Sequence, residues 1–192
     1  MNKRVCIFCA SSAKIPNKYT EAAAELADLL VSDGWGIVYG GGSVGLMGTI
    51  ADTALRKGGE VIGVIPTFMV EVEWEHKGVK DMRQTVTMAE RKHMMMELSD
   101  AILVLPGSTG TMDEFFEAMA DKKLGLHNKP LVLLNTDGFY DPTIKQLHHM
   151  VEDGFMTERH LSVLNIARTP IEAVEKLKGS NQAAIKLIDA QV

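Results

Sequence analysis

Five strand-length runs, apolar almost without interruption, set the strongest limit on how this chain can fold: "RVCIFCA", "GIVYGG", "EVIGVIP", "AILVLPG" and "KPLVLLN". A strand with one face in water alternates apolar and polar residues; a strand covered on both faces does not. Between the runs lie helical patterns near 17–33, 45–58, 88–99, 111–124, 141–153 and 170–178. Doubly covered strands alternating with helices predict an α/β domain, a doubly wound, Rossmann-like, mainly parallel sheet with helices on both faces. The loops that follow such strands share one edge, where these folds bind ligands. At 192 residues, 46% of them hydrophobic, the chain is expected to form a single domain over 1–192.

Composition narrows the classes of partner. A formal net charge of −5 and a pI near 5.7 provide no general basic field, so neither nucleic acid nor an anionic membrane is expected as a partner. The first apolar run, Val5 to Ala10, is too short for a signal peptide core or a membrane span, which points to a cytoplasmic protein. Cys6 and Cys9 form a C-x-x-C, but inside a strand pattern and not at a helix start, so they read as core thiols. No second cysteine pair accompanies them, and the histidines at 76, 93, 127, 148, 149 and 160 lack His-Glu-x-x-His spacing; no metal is expected. The stretch from Thr67 to Thr87 has no amphipathic period and reads as an active-site flap or, by preference, a solvated connection. The C-terminal "GSNQAAIKLIDAQV" reads as a terminal helix or a frayed tail.

Four loops fall on the expected binding edge. "CASS", Cys9 to Ser12, offers small hydroxyls, with Ser12 the candidate ligand contact. "GGGSVGLMG" contains G-x-G-x-x-G at Gly40, Gly42 and Gly45 and opens an apolar helix, implying either close backbone approach with a helix N-terminus facing a ligand or a purely structural tight turn. A dinucleotide site would also place an acid at the end of the next strand, whereas Glu60 precedes that strand. In "TMAERKHMMMELSD", Met88, Arg91, Met95 and Leu98 share one side of a helix, so Arg91 interrupts an apolar stripe. A guanidinium there pairs with a core carboxylate or points into the ligand cleft. Finally, "PGSTGT" sets Gly107, Ser108, Thr109, Gly110 and Thr111 at a new helix start, a good cradle for a phosphate monoester. Asp113, Glu114 and Glu117 follow it, and Thr111-x-x-Glu114 also has the form of a helix capping box.

Taken together, "GGGSVGLMG", "ERK" at 90–92, "PGSTGTMDE" at 106–114 and "LGLHNKPLVLLNTDGFYD" resemble the Lonely Guy family of nucleotide phosphoribohydrolases, whose members often carry the label "lysine decarboxylase". The resemblance runs from Val5 to Leu177 and rests on the pattern P-G-G-x-G-T-x-x-E with an upstream Arg-Lys pair. It implies a Rossmann-like nucleotide-monophosphate-binding domain that removes the base from a cytokinin nucleotide or AMP to give ribose 5-phosphate. It also implies a homodimer and no metal or organic cofactor. Arg91 and Glu114 then form the catalytic pair, and Ser12, Gly42, Glu73, Met88, Lys92, Gly107, Ser108, Thr109, Gly110, Thr111 and Glu117 contact substrate. The chain departs from the pattern at Val72, where the family has Arg, at Ser108, which replaces the second motif Gly, and at Ala120, where many relatives have Thr. Two other classes are weighed beside this one: a non-catalytic phospholigand-binding protein on the same fold, and a nicotinamide oxidoreductase, which the position of Glu60 opposes.

Overall fold

The computed structural model describes residues 3–70 and 74–179. Seven strands form one sheet in which every neighbouring pair is parallel: β1 (Arg4–Phe8), β2 (Gly36–Tyr39), β3 (Val61–Pro66), β4 (Asp81–Thr85), β5 (Ala101–Val104), β6 (Leu131–Leu134) and β7 (Leu164–Ala167). Their order is β4-β3-β2-β1-β5-β6-β7. The helices are α1 (Asn17–Ser32), α2 (Gly45–Arg56), α3 (Thr67–Val70), α4 (Met88–Glu97), α5 (Thr109–Lys123), α6 (Asp141–Glu152), α7 (Glu158–Leu161) and α8 (Pro170–Gly179). The chain winds outward through β2, β3 and β4, then returns to the other side of β1 for β5 to β7. The direction reverses between β1 and β5, so the loops after these strands diverge and leave a crevice.

Strand alternation sorts the core into two layers. In β1, Val5 and Ile7 face the layer built with α1, α2 and α8, while Cys6 and Phe8 face the layer built with α4, α5 and α6. Both layers are apolar, which is why these strands carry no polar face. Helix α1 shows the matching helical period: Ala23, Leu26, Ala27 and Leu30 are its buried residues, at i, i+3, i+4 and i+7. Each large aliphatic side chain so buried contributes on the order of 1.5–3 kcal/mol.

Two strands escape a reading based on apolar runs. Part of the stretch expected as a solvated connection is β4, "DMRQT", whose register pairs Ile62 with Asp81 and Pro66 with Thr85. It forms one edge of the sheet, and Asp81, Arg83 and Gln84 are exposed there, so its sequence carries charge in place of a hydrophobic run. Strand β7 forms the opposite edge and is only four residues long. The tail beyond Gly179, expected as a helix or a frayed end, lies outside the described residues.

The crevice is tied together from behind. Ala10 N–H donates to Pro106 O at 3.2 Å, joining the loops after β1 and β5. On the far side of β5, the Asn135 side chain accepts from Tyr140 N–H and donates to Asp141, both at 2.7 Å. Tyr140 Oη then donates to Leu105 O at 2.7 Å, one residue before the "PGSTGT" turn. Tyr140 is 1% exposed, so no water can replace the lost donor. Tyr140→Phe is expected to lower stability by about 1–2 kcal/mol, read as a reduced urea midpoint with an unchanged slope. An unchanged midpoint would show that this bond does not anchor the turn.

Candidate active site

The sequence holds the spacing Thr-x-x-Glu at Thr87–Glu90, Thr111–Glu114 and Thr169–Glu172, and the first two copies do opposite things. At Thr87 the capping box forms: Thr87 Oγ1 accepts from Glu90 N–H at 3.1 Å, and Glu90 Oε2 accepts from Thr87 N–H at 3.3 Å. At α5 the box expected over Thr111 and Glu114 does not form. The N-cap is Ser108, its side chain makes no capping bond, and the first turn carries no acid. Thr111 sits inside the helix and Glu114 a turn further on, so the carboxylate is free for another partner.

That partner is Arg91. Its Nη1 donates to Glu114 Oε1 at 2.8 Å, its Nε to Val64 O at 3.1 Å and its Nη2 to Gly40 O at 3.3 Å. Arg91 is 7% exposed and Glu114 8%. Both sequence alternatives for Arg91 therefore hold at once: it meets a buried carboxylate and it faces the cleft. Gly40 is required here, because a Cβ on it would stand 2.0 Å from Arg91 Nη2. Burial pushes the Glu114 carboxyl above the ordinary glutamate range, and the Arg91 charge offsets only part of that.

The pair lies in the wall of a cavity of about 360 Å³. Of the residues expected at the site, Gly42, Met88, Arg91, Ser108, Gly110, Thr111 and Glu114 line it. The same cavity takes in Ser11, Ser43, Val44, Met47, Ile65, Met69 and Trp74, which sequence reasoning did not single out. Cys9 also lines it, one residue beyond β1, although burial pushes its thiol well above the ordinary range. Gly107 and Thr109 flank the lining at the turn into α5. Ser12 is exposed, and its Oγ accepts from Lys14 N–H at 3.2 Å. Lys92 and Glu117 are paired with each other beside the site, and Lys92 Nζ also meets Asp113 Oδ2 at 2.9 Å. These bridges fasten α4 to α5. Glu73 lies outside the described residues.

The two glycine-rich loops differ in what they leave open. The N-terminus of α2 is largely occupied by the chain itself: Leu46 and Met47 N–H both donate to Ala10 O, at 3.0 and 3.3 Å, and of its first three amides only Gly45 N–H has no acceptor among the described residues. Gly45 lets Ala10 come that close, with φ +66° and with the 11–12 backbone packed where a Cβ would stand. At α5, by contrast, the N–H groups of Thr109, Gly110 and Thr111 have no acceptor among the described residues, and the hydroxyls of Ser108 and Thr111 border the cavity beside them. This is the one helix start of the pair that can take an anion. Glu60 lies at the opposite end of the strands, bridged to Arg4 at 2.6 Å, so no ribose-holding acid of a dinucleotide site is present at that strand's end. Among the described residues no His, Cys, Asp and Glu cluster could hold a metal, and no helix is long and apolar enough to cross a membrane.

Comparison with known proteins identifies the family. A family model described as "Possible lysine decarboxylase" matches residues 47–177. The probable cytokinin riboside 5'-monophosphate phosphoribohydrolase LOGL2 of Oryza sativa subsp. japonica is 41% identical over 92% of this chain and 72% of its own. The cytokinin riboside 5'-monophosphate phosphoribohydrolase LOG3 of Arabidopsis thaliana is 38% identical over 92% of this chain and 82% of its own. Among solved structures, the molybdenum cofactor carrier protein of Chlamydomonas reinhardtii shares the fold, with a TM-score of 0.71 at 21% identity over 93% of this chain and 97% of that one. The molybdenum cofactor binding protein of Rippkaea orientalis does so too, with a TM-score of 0.70 at 21% identity over 93% and 96%. Matched over most of its length by the family model and by relatives at 41% and 38% identity, the chain belongs to the Lonely Guy family of phosphoribohydrolases.

Proposed function

We propose that the protein hydrolyses the N-glycosidic bond of a purine or cytokinin nucleoside 5'-monophosphate, releasing the free base and ribose 5-phosphate. The observation that carries this reading is the buried Arg91–Glu114 pair set in a cavity wall beside the open N-terminus of α5. The names of the relatives at 41% and 38% identity support the same substrate class.

In this reading the phosphate sits on the N–H groups of 108–111 and the threonine hydroxyls, with Gly107 shaping the turn and the Ser108 hydroxyl beside it but not required. Anchoring that remote end positions the reacting sugar. As the C1'–N bond breaks, its electron pair leaves with the base and positive charge builds on the ribose. Glu114 stabilises that charge and orients the water, whose oxygen bonds to C1' while its proton passes to the carboxylate. The proton then passes from Glu114 to the departing base, directly or through water, and the carboxylate is restored. Arg91 holds Glu114 in place and hydrogen-bonds the base side. No metal or organic cofactor enters these steps. Gly42 and Met88 border the base, while Ser12, Lys92 and Glu117 act through the loop and the α4–α5 bridges. A homodimer in the cytoplasm belongs to the same reading. The methionine-rich α4, in which Met95 is buried and Met94 and Met96 are half-buried, is one candidate for part of its interface, and Phe116, Leu124 and Leu126, exposed on and after α5, offer another apolar face to a second copy. Sedimentation at two concentrations tests it.

Glu114→Gln is expected to reduce turnover by at least ~100-fold, the scale of a lost general base, while nucleotide binding persists. Product analysis for ribose 5-phosphate over a panel of purine and cytokinin monophosphates checks this, and near-normal release would remove Glu114 from the chemistry. Because the working form is the carboxylate and burial raises its pKa, the rate should fall with decreasing pH through a midpoint above 4.5. A midpoint at or below 4.5 would contradict that assignment. Ser108 has φ −94°, which any residue adopts, and caps nothing. Ser108→Gly should therefore give equal or higher kcat/KM, and a large fall would make the hydroxyl a required phosphate ligand.

A further inference from the structure

Trp74 is held at the cavity wall in a way its own burial does not explain. The chain has two tryptophans. Trp35 is 7% exposed in the core, with its Nε1 donating to Asp33 at 3.2 Å. Trp74 is 56% exposed although it lines the cavity. Among the described residues no aromatic ring or cation stacks on its indole.

The backbone at Trp74 is nevertheless fixed. Its N–H donates to Met69 O at 3.3 Å, and its carbonyl accepts from Ser43 N–H at 3.1 Å. Next to it, Gly42 and Glu75 form an antiparallel bridge. His76 N–H donates to Gly41 O at 2.9 Å. The His76 ring completes the clasp: Nδ1 accepts from Gly78 N–H at 3.1 Å, and Nε2 meets Asp52 Oδ1 of α2 at 3.1 Å. With Nδ1 an acceptor, the proton of a neutral ring lies on Nε2, directed at Asp52. A short antiparallel ladder thus fastens 74–76 to the glycine loop and to α2.

This wall and the anion seat reach the cavity from opposite sides of β1, since β2 and β3 lie on one side and β5 on the other. On the β2–β3 side the lining brings Val44, Met47, Ile65 and Met69 together with Trp74 and with Ser43, which bonds the Trp74 carbonyl. On the α5 side it is polar and holds Glu114. A ligand that spans both sides carries an anion at one end and a flat face at the other. We propose that Trp74 is the residue that stacks on the base of the bound nucleotide and sets the preference for it. The proposal rests on the nucleotide reading above. Stacking needs a planar face and no hydrogen-bond code, and an indole is the best side chain for it.

Intrinsic fluorescence tests it, with buried Trp35 as the internal reference. In the Glu114→Gln background, which leaves the nucleotide intact, AMP should quench the emission and ribose 5-phosphate should not. Adding Trp74→Phe should abolish the AMP response. In the otherwise wild-type enzyme, Trp74→Ala should raise KM for AMP roughly tenfold, with inhibition by ribose 5-phosphate unchanged and Trp74→Phe restoring most of the loss. The proposal is overturned by an AMP response that survives Trp74→Phe, or by ribose 5-phosphate inhibition that weakens in parallel with KM, which would make Trp74 only a brace of the wall. Emission that follows protein concentration and ignores AMP also overturns it, placing Trp74 between two copies. If the wild type releases no ribose 5-phosphate but AMP still quenches, the hydrolytic reading fails and the stacking stands. If release is normal and KM is unmoved in Trp74→Ala, the reverse holds.

Discussion

The site depends on one buried ion pair. Arg91 and Glu114 come from α4 and α5, and the same guanidinium takes carbonyls at the ends of β2 and β3. Four elements that diverge at the sheet edge are thus held at a single point. Removing one partner of such a pair typically costs about 3–5 kcal/mol, because the other charge is left buried alone. Replacing both with well-packed apolar residues is often neutral or stabilising, so stability alone does not account for the pair. What the pair supplies is a carboxylate kept in a dry wall at fixed orientation, which an apolar contact cannot provide.

Around this point the loops do separate jobs. The loop after β2 gives its carbonyl to Arg91 and its edge to the 74–76 ladder. The loop after β5 is braced from below by Tyr140 and from the side by Ala10, so the start of α5 is rigid although its N–H groups are open. The Lys92 bridges to Asp113 and Glu117 repeat the α4–α5 link nearer the surface. Preorganisation of this kind comes from many modest bonds on elements that are themselves packed in the core.

The central strands and long helices were legible from the sequence because both core layers are apolar, and strands covered on two faces advertise themselves. The edge strand β4 was hidden, since an edge is kept soluble by charges such as Asp81 and Arg83, and these erase the run. Arg91 was legible as an interruption in an apolar stripe. The role of Glu114 was not fixed by local pattern: Thr87–Glu90 and Thr111–Glu114 have the same spacing, and only the place where each helix begins separates a cap from a cleft carboxylate. Trp74 gave no signal, because its position depends on a ladder to Gly42 some thirty residues earlier.

The carbonyl of Ala10, lodged against the first turn of α2, bears on which ligands the crevice can discriminate. Dinucleotide-binding relatives of this architecture use the corresponding helix start to cradle a bridging pyrophosphate. Here that position is occupied by the chain's own backbone, and the open helix start lies across β1 at α5. In the proposed reading the cleft therefore offers its open helix start to a single terminal anion. A longer phosphate chain would run its added negative charge toward a carbonyl oxygen instead of a pair of free amides, so the glycine-rich sequence that most suggests a cofactor site acts in the fold as a barrier to one.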